Sequence, residues 1–202
     1  MTAKIEYISQ RRSTEQWTSQ EDYRLMEAIA QGNAGAFTAL VKRHINSVVR
    51  YALRYVGFHG DAEDIAQETF IRLWKHAANW EQQGFSLRSW LYRITYNLCI
   101  DHLRKRKQTT SIDDETSLSS LEQPDEALVE QQQQQEIKKA LASLPERQHS
   151  AIILCIYQGL TNIEAAQVMD ISVEALESLL SRGRRTLKAR MQQSGEPDTE
   201  KL

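Results

Sequence analysis

Residues 86–107, which read SLRSWLYRITYNLCIDHLRKRK, carry the clearest helical pattern of the chain. Apolar side chains recur every three or four positions, which places them on one face of a helix: Leu87, Trp90, Leu91, Ile94 and Leu98. A second strip of the same helix carries Arg93, Asn97 and Arg104. The segment ends in four consecutive cations, which suit the negative end of a helix dipole. The pattern predicts a core helix with a basic outer strip.

Two helices are predicted before this one, in residues 19–31 and 34–56. Ser19 with Asp22 resembles a capping box at the start of the first helix, and Gly32-Asn33 separates the two. The second helix carries apolar side chains near one face: Phe37, Leu40, Val41, Val48, Ala52 and Val56.

A further helix is predicted from Asp61 to Ala77, with Asp61 as its N-cap and Asp64 in its first turn. One stripe of this helix is expected to be buried: Ala62, Ala66, Thr69, Phe70, Leu73 and Ala77.

Ile71 falls outside that stripe, and Trp74 lies at the edge of its face. Polar neighbours surround it: Asp64, Gln67, Glu68 and Lys75. Two interpretations stay open. The face is either solvated and carries one stray isoleucine, or it is a docking patch in which carboxylates ring an apolar anchor. The second interpretation predicts a partner helix with basic residues.

Residues 79–85 (NWEQQGF) form a predicted loop between two strong helical patterns. The loop carries Trp80 and Phe85, with Gln82 and Gln83 between them. Aromatic rings beside amide groups suit an unstacked base, which needs a stacking surface and hydrogen bonds to its edge. The alternative is that the aromatic side chains fold back into the core.

Residues 108–124 are rich in Ser, Thr and acids and have few large apolar side chains. This composition predicts a flexible linker and the boundary between two domains. Residues 1–18 and 192–202 are predicted to form a polar arm and a polar tail.

Two helices are predicted directly after the linker. The first runs from residue 125 to about residue 143, and the second opens at Pro145 and ends at Gly159. The inward side chains expected in the second are Ile152, Ile153 and Ile156.

The next segment has the pattern of a helix-turn-helix motif. Thr161 and Glu164 form a capping box before a short helix, residues 162–169, and Ser172 caps a longer helix after a three-residue turn. The longer helix has an apolar stripe: Leu176, Leu179, Leu180, Gly183 and Leu187. Its outer side is polar and basic: Glu174, Glu177, Ser178, Ser181, Arg182 and Arg185. Residues 181–191 hold five Lys or Arg and no acid, which favours DNA binding over a plain helical bundle.

The composition fits an all-α cytoplasmic protein. The 202 residues are 41% hydrophobic and 26% charged, with only eight glycines and three prolines. No apolar run is long enough to span a membrane, and the N-terminus lacks the apolar centre of a signal peptide. Cys99 and Cys155 are expected to be reduced core residues, and Cys99 with His102 is too small a group for a metal site. No cofactor is predicted.

The net charge of −2 conceals a strong segregation. Residues 1–107 carry +5, residues 108–135 carry −7, and residues 136–202 are neutral. Two basic surfaces joined by an acidic tether are compatible with nucleic-acid binding.

These motifs together resemble the bacterial RNA polymerase sigma factors of the extracytoplasmic-function (ECF) type, group 4 of the sigma-70 family, over about residues 19–191. Residues 61–74 are similar to the segment that docks on the clamp of the largest polymerase subunit. Residues 85–107 resemble the segment that melts and recognises the −10 promoter element. Residues 144–190 resemble the domain whose helix-turn-helix recognises the −35 element. Two positions depart from the family pattern, Ala165 and Glu177, and the carboxylate at 177 suits a cytosine amino group.

The resemblance implies an ECF sigma factor with a region 2-like domain in residues 19–107 and a region 4-like domain in residues 125–191. It implies these contacts with core polymerase: Asp61, Asp64, Gln67, Glu68, Ile71 and Trp74. It implies these contacts with the −10 element: Trp80, Gln82, Gln83, Phe85, Arg88, Arg93, Asn97, Arg104 and Lys105. It implies these contacts with the −35 element: Thr161, Glu174, Glu177, Ser178, Ser181, Arg182, Arg184, Arg185 and Lys188. The implied partners are the clamp and flap of core RNA polymerase, promoter DNA and an anti-sigma factor.

Three other classes of protein are alternatives to this one. A transcription regulator without polymerase needs a dimerisation surface or a ligand pocket, and neither is visible in the sequence. An enzyme needs a catalytic, phosphate-binding or metal-ligand group of residues. No such group is visible in the sequence, and the five histidines are scattered. A helical scaffold that only binds partner proteins would not explain the two basic strips.

Overall fold

A computed structural model describes residues 19–80, 86–109, 137 and 139–193. The chain forms two compact units, Met1–Asp114 and Glu115–Leu202. The first contains α1 (Ser19–Ala30), α2 (Ala34–Val56), α3 (His59–His76), a 3-10 turn (Ala77–Asn79) and α4 (Leu87–Thr109). The second contains α5 (Glu146–Ile152), a π-helical turn (Ile153–Tyr157), α6 (Asn162–Met169) and α7 (Val173–Gln193).

Every regular element in the described ranges is helical, which confirms the predicted all-α class with two helical domains. The predicted arm, the linker from residue 110 onwards and the tail from residue 194 onwards lie outside those ranges. The helix predicted for residues 125–143 is described at 137 and 139–142, where it is helical.

The start of α3 differs from the prediction. Asp61 was expected to cap the helix, but α3 begins at His59 after Phe58, which makes no side-chain capping bond. The reason lies in Gly57, whose positive φ of 74° ends α2 and lets the chain re-enter a helix two residues later. Asp61 therefore lies in the first turn, and its Oδ2 is 3.1 Å from Nε2 of His102 on α4.

The buried stripes of α2 and α3 largely match the prediction. All six residues expected to be buried in the segment from Asp61 to Ala77 are buried, and Ile65 joins them. On α2, Leu40 and Val48 are buried, whereas Phe37 and Val41 are half-buried at the edge of the core. Asn33, which was predicted only as a break, caps α2 by accepting a hydrogen bond from the Ala36 N–H at 3.0 Å.

The buried face of α4 is rotated from the predicted one. Leu87 and Leu91 are buried, but Trp90, Ile94 and Leu98 are only half-buried. Tyr92, Thr95 and Cys99 take their place in the core.

Contacts with α2 and α3 explain this rotation of α4. The ring of Tyr92 packs on Tyr51 with centroids 4.9 Å apart. Thr95 Oγ1 lies 3.2 Å from Thr69 Oγ1, and each hydroxyl also lies 2.8 Å from a carbonyl oxygen one turn earlier. Because these hydroxyls are satisfied within the core, threonine can be buried there at little cost.

The second unit is shaped by the π-helical turn. Ile152 and Ile153 are buried as predicted, but Ile156 is half-buried and Leu154 is buried instead. Hydrogen bonds in this turn span five residues, as between Gln158 N–H and the Ile153 carbonyl at 3.0 Å, which shifts the inward face.

Gly183 lets α7 approach α5 closely. A Cβ atom at this position would lie 3.1 Å from Cγ1 of Ile152. The glycine on the apolar stripe of α7 therefore permits this close packing without a shift of Ile152.

Asp22, which the sequence suggested as part of a capping box with Ser19, is a buried anchor between α1 and α2. It is 3% exposed, its Oδ1 accepts a hydrogen bond from Arg43 Nη1 at 2.7 Å, and its Oδ2 lies 3.2 Å from His44 Nε2. Burial acts to raise the pKa of Asp22, but the hydrogen bonds and charges of His44 and Arg43 outweigh it and hold that pKa below its ordinary value.

We expect Asp22→Asn to lower the free energy of unfolding of the first unit by about 1–2 kcal/mol at neutral pH. Because the folded pKa of Asp22 is depressed, its contribution is present above the ordinary aspartate pKa and is lost as the pH falls through the folded value. The stability difference between the two proteins should therefore shrink below about pH 4.

Urea unfolding followed by tryptophan fluorescence measures this difference, because all four tryptophans lie in the first unit. Glu21→Gln is the control, since Glu21 also pairs with Arg43 but its side chain is 59% exposed. A difference that stays constant as the pH falls would show that the Asp22 charge contributes nothing.

Candidate partner and nucleic-acid interfaces

The outer face of α3 presents an apolar centre surrounded by polar groups. Ile71 is 44% exposed and Trp74 is 40% exposed. Trp74 packs edge-on against Phe37 of α2, with centroids 5.0 Å apart, so the apolar area extends across two helices. Asp64 and Gln67 are exposed beside it.

Two of the acids predicted for this face already have intramolecular partners. Arg72 Nε donates to Glu68 Oε1 at 2.8 Å, and this hydrogen bond lowers the pKa of Glu68. Asp61 lies two turns earlier, and its Oδ2 is 3.1 Å from Nε2 of His102. With Asp64, these two acids give the patch an acidic rim.

An isolated exposed isoleucine needs no explanation, but Ile71, Trp74 and Phe37 form a contiguous surface. Large apolar side chains with a charged rim are typical of a protein–protein interface. The structure therefore favours the docking interpretation over a solvated face.

The basic strip of α4 lies on the surface of the first unit. Asn97, Arg104 and Lys105 are exposed, and Arg93 is half-buried. Arg93 and Arg104 are about 16 Å apart along the helix axis, a span that reaches several phosphates of one strand. Arg104 has only a loose pairing with Asp101, at 3.9 Å, so its charge remains available to an external anion.

Arg88 lies in the first turn of the same helix and is less exposed than Asn97, Arg104 and Lys105. It is half-buried, and its guanidinium carbon lies 5.7 Å from the centroid of the Tyr92 ring. This stacking limits the directions in which Arg88 can reach outwards.

The predicted base-capture loop is described only at its first residues. Trp80 is half-buried at the edge of the core, and its ring centroid lies 5.2 Å from that of Tyr23 on α1. Its position corresponds to the alternative in which an aromatic side chain folds back onto the core. Gln82, Gln83 and Phe85 lie outside the described residues. Base capture by this loop stays a prediction.

The helix-turn-helix of the second unit has the predicted caps. Thr161 Oγ1 accepts from the Glu164 N–H at 3.2 Å, while Glu164 Oε2 accepts from the Thr161 N–H at 2.9 Å, which completes a capping box. Ser172 Oγ accepts from the Ala175 N–H at 3.2 Å at the start of α7. Asp170 adopts a left-handed conformation, with φ of 54°, in the turn between the helices.

The structure brings the predicted outer residues of α7 together on one exposed face. Six exposed side chains line a shallow groove there: Glu174, Glu177, Ser178, Ser181, Arg182 and Arg185. Arg184, Lys188 and Thr161 are exposed as well. Hydrogen bonds from its own backbone and from Ser172 lower the pKa of Glu174, which keeps this carboxylate ionised as an acceptor.

Sequence patterns missed two contacts at these surfaces. Phe37 of α2 joins the apolar patch of α3, and Asn162 of α6 donates from Nδ2 to Oε1 of Glu177 at 3.2 Å. Both contacts link residues on different helices, so helical periodicity within one segment could not reveal them.

Two further features are absent from the described residues. None of the helices there is long and apolar enough to cross a membrane. No group of three or more His, Cys, Asp or Glu side chains in those ranges could hold a metal ion.

A helical unit with a basic strip, followed by a helix-turn-helix unit, defines a two-domain DNA-binding protein. Comparison with known proteins gives the family. Residues 40–109 match Sigma-70 region 2, and residues 134–187 match Sigma-70, region 4.

Relatives and solved structures agree with this match. The ECF RNA polymerase sigma factor SigM of Bacillus subtilis is 32% identical over 154 residues, which cover 74% of this chain and 91% of SigM. SigE of Mycolicibacterium smegmatis is 31% identical over 153 residues, and the match covers 74% of this chain and 59% of the length of SigE. The sigma factor RpoE of Bartonella quintana, solved in complex with the anti-sigma factor NepR, superposes with a TM-score of 0.63 at 25% identity, covering 77% of this chain and 96% of RpoE.

The chain therefore belongs to the sigma-70 family of RNA polymerase sigma factors, in its ECF class. This result confirms the resemblance that the sequence motifs indicated.

Proposed function

We propose that this protein binds core RNA polymerase and directs it to promoters. It would recognise the −35 and −10 elements and separate the two DNA strands. The observation that carries this proposal is the presence of two basic surfaces on two separate helical units, which match regions 2 and 4 of the family. A third surface, the acid-rimmed apolar face of α3, is available for the polymerase.

The α3 face would hold the largest polymerase subunit at its clamp. Ile71 and Trp74 would supply apolar contact area, and Asp64, Gln67 and Glu68 would bind polar or basic groups around it. Asp61 would contribute at the edge while its pairing with His102 keeps α3 and α4 in register.

The helix-turn-helix would place α7 in the major groove of the −35 element. The cations Arg182, Arg184, Arg185 and Lys188 would bind phosphates and set the position of the helix. The polar residues Glu174, Glu177, Ser178 and Ser181 would lie nearer the base edges, with Thr161 at the start of α6 close to the backbone.

The basic strip of α4 would bind the DNA backbone near the start site through Arg93, Asn97, Arg104 and Lys105. Arg88 would contribute from the first turn of the same helix. The loop after Trp80 would capture a flipped base of the non-template strand. Unstacking a base costs a few kcal/mol, and stacking it on an aromatic side chain returns about 1–3 kcal/mol. Opening would therefore be favourable only where the sequence fits and the polymerase holds the rest of the promoter.

The remaining features follow from this role. The protein would act in the cytoplasm, catalyse no bond chemistry and need no cofactor. The acidic segment 108–124 would pass through a polymerase channel that accepts nucleic acid, and the flap would contact the second unit. An anti-sigma factor is the expected inhibitor, since the related RpoE was solved with one.

We expect Ile71→Asp to abolish the association with core polymerase, because a carboxylate would enter the apolar centre of the patch and repel its acidic rim. Ile71 is exposed, so the fold should be unaffected. Co-elution with core polymerase on gel filtration measures the association, and circular dichroism checks helicity. Ile71→Leu, the matched control, should still co-elute. Co-elution of Ile71→Asp at wild-type strength would remove α3 from the interface.

We expect Arg104 and Lys105, changed together to alanine, to weaken promoter binding by the holoenzyme and to flatten its salt dependence. Two lost phosphate contacts lower the slope of log K against log salt by up to about 2 units. Arg24 and Lys42, two exposed cations outside the predicted DNA surfaces, form the control pair. An unchanged slope for the Arg104 and Lys105 variant would refute their phosphate contacts.

A further inference from the structure

Glu177 has a defined partner although it lies on the exposed face of α7. Its Oε1 accepts a hydrogen bond from Nδ2 of Asn162, the first residue of α6, at 3.2 Å. Glu177 is exposed, and within the described ranges no partner of its second carboxylate oxygen, Oε2, is found. One oxygen is therefore held by the protein while the other can accept from an external donor.

The π-helical turn supports the amide of Asn162 from behind. It carries Cys155, whose Sγ lies 4.0 Å from Oδ1 of Asn162. Burial raises the pKa of Cys155 to about 11, so the sulfur is a protonated thiol at neutral pH and can donate. A donor at Oδ1 turns the NH₂ group of the amide towards Glu177. The three side chains form a line of contacts from the interior of the unit to its exposed face.

We propose that Asn162 is a positioning residue for promoter recognition, which holds the Glu177 carboxylate so that Oε2 accepts a hydrogen bond from the N4 amino group of a cytosine in the −35 element. This inference rests on the proposed function, in which α7 lies in the major groove of that element. Among the four bases, cytosine offers the N4 donor that a carboxylate at this position can accept alone, and adenine pairs better with Asn or Gln.

The arrangement addresses a difficulty of an acidic residue on a DNA-binding face. A freely rotating carboxylate beside phosphates adds repulsion and loses rotamer entropy when it binds a base. The Asn162 amide removes part of both costs, because it donates to the charged group and fixes its orientation before the DNA arrives. The benefit is realised at the base that Glu177 contacts and nowhere else in the element.

The test is a selection experiment with the holoenzyme, formed from the full chain and core polymerase. The probe is a duplex library randomised at every −35 position, and the bound fraction is sequenced. The wild-type protein should enrich cytosine at one position, and Glu177→Gln should abolish that enrichment. Asn162→Ala should lower the cytosine preference at that same position by about 3–10-fold, the effect of one ordinary hydrogen bond. Asn162→Asp, which places a second carboxylate there, should lower it further.

A purely structural role of Asn162 would weaken binding to all sequences alike and leave the base preference unchanged. Ser172→Ala provides this comparison, because it removes the cap of α7 and the hydrogen bond to Glu174 without touching Asn162 or Glu177. It should reduce overall binding and keep the cytosine preference.

The possible outcomes separate this inference from the proposed function. A cytosine preference that depends on Glu177 but is unchanged by Asn162→Ala and Asn162→Asp overturns the positioning role and leaves the function standing. Enrichment of a −35 sequence in which no position responds to Glu177→Gln also overturns it. Failure of the wild-type holoenzyme to enrich any −35 sequence would overturn the proposed function itself.

Discussion

Burial of one face on each of three helices determines which residues of the first unit remain available for partners. Leu40, Leu73 and Leu91, from α2, α3 and α4, are at most 1% exposed, and each contributes about 1.5–3 kcal/mol by leaving water. No other rotation of a helix about its axis would keep these side chains inside. Ile71, two positions from Leu73 and roughly 200° around the helix, is consequently forced outwards. The same constraint turns Asn97 and Arg104 of α4 towards solvent.

The second unit obeys the same constraint with less apolar material. Ile152 on α5 and Gly183 on α7 meet so closely that a Cβ atom at position 183 would require Ile152 to shift. This close packing fixes the rotation of α7, so its cations and its two glutamates share one exposed face. A mixture of acceptors near the bases and cations near the phosphates is what a recognition helix requires.

Helical periodicity predicted these features well where a helix is strongly amphipathic. The stripe of α3, the capping box at Thr161 and the cap at Ser172 were all predicted from residue spacing, because each depends on neighbours within one or two turns. The buried face of α4 was predicted less well, since Tyr92 and Thr95 are buried through partners on other helices.

Long-range contacts and local irregularities account for the rest. The buried position of Asp22 was not predicted, because its partners Arg43 and His44 lie twenty-one and twenty-two positions away. The π-helical turn moves Leu154 inwards because it interrupts the 3.6-residue period of the α-helix. Helical periodicity therefore could not predict this position. The contact between Asn162 and Glu177 depends on the angle of the turn between α6 and α7. The two basic surfaces, by contrast, were visible in the sequence as local groups of Lys and Arg in residues 104–107 and 181–191.

The role proposed for this chain is to join core RNA polymerase to two separate stretches of DNA. It is tested most directly by transcription with purified core polymerase on a template library randomised over two upstream segments, with and without this protein. We predict that adding the protein produces transcripts from templates that share two sequence motifs at a fixed spacing, one for each helical unit. The same transcripts with and without the protein would contradict the claim.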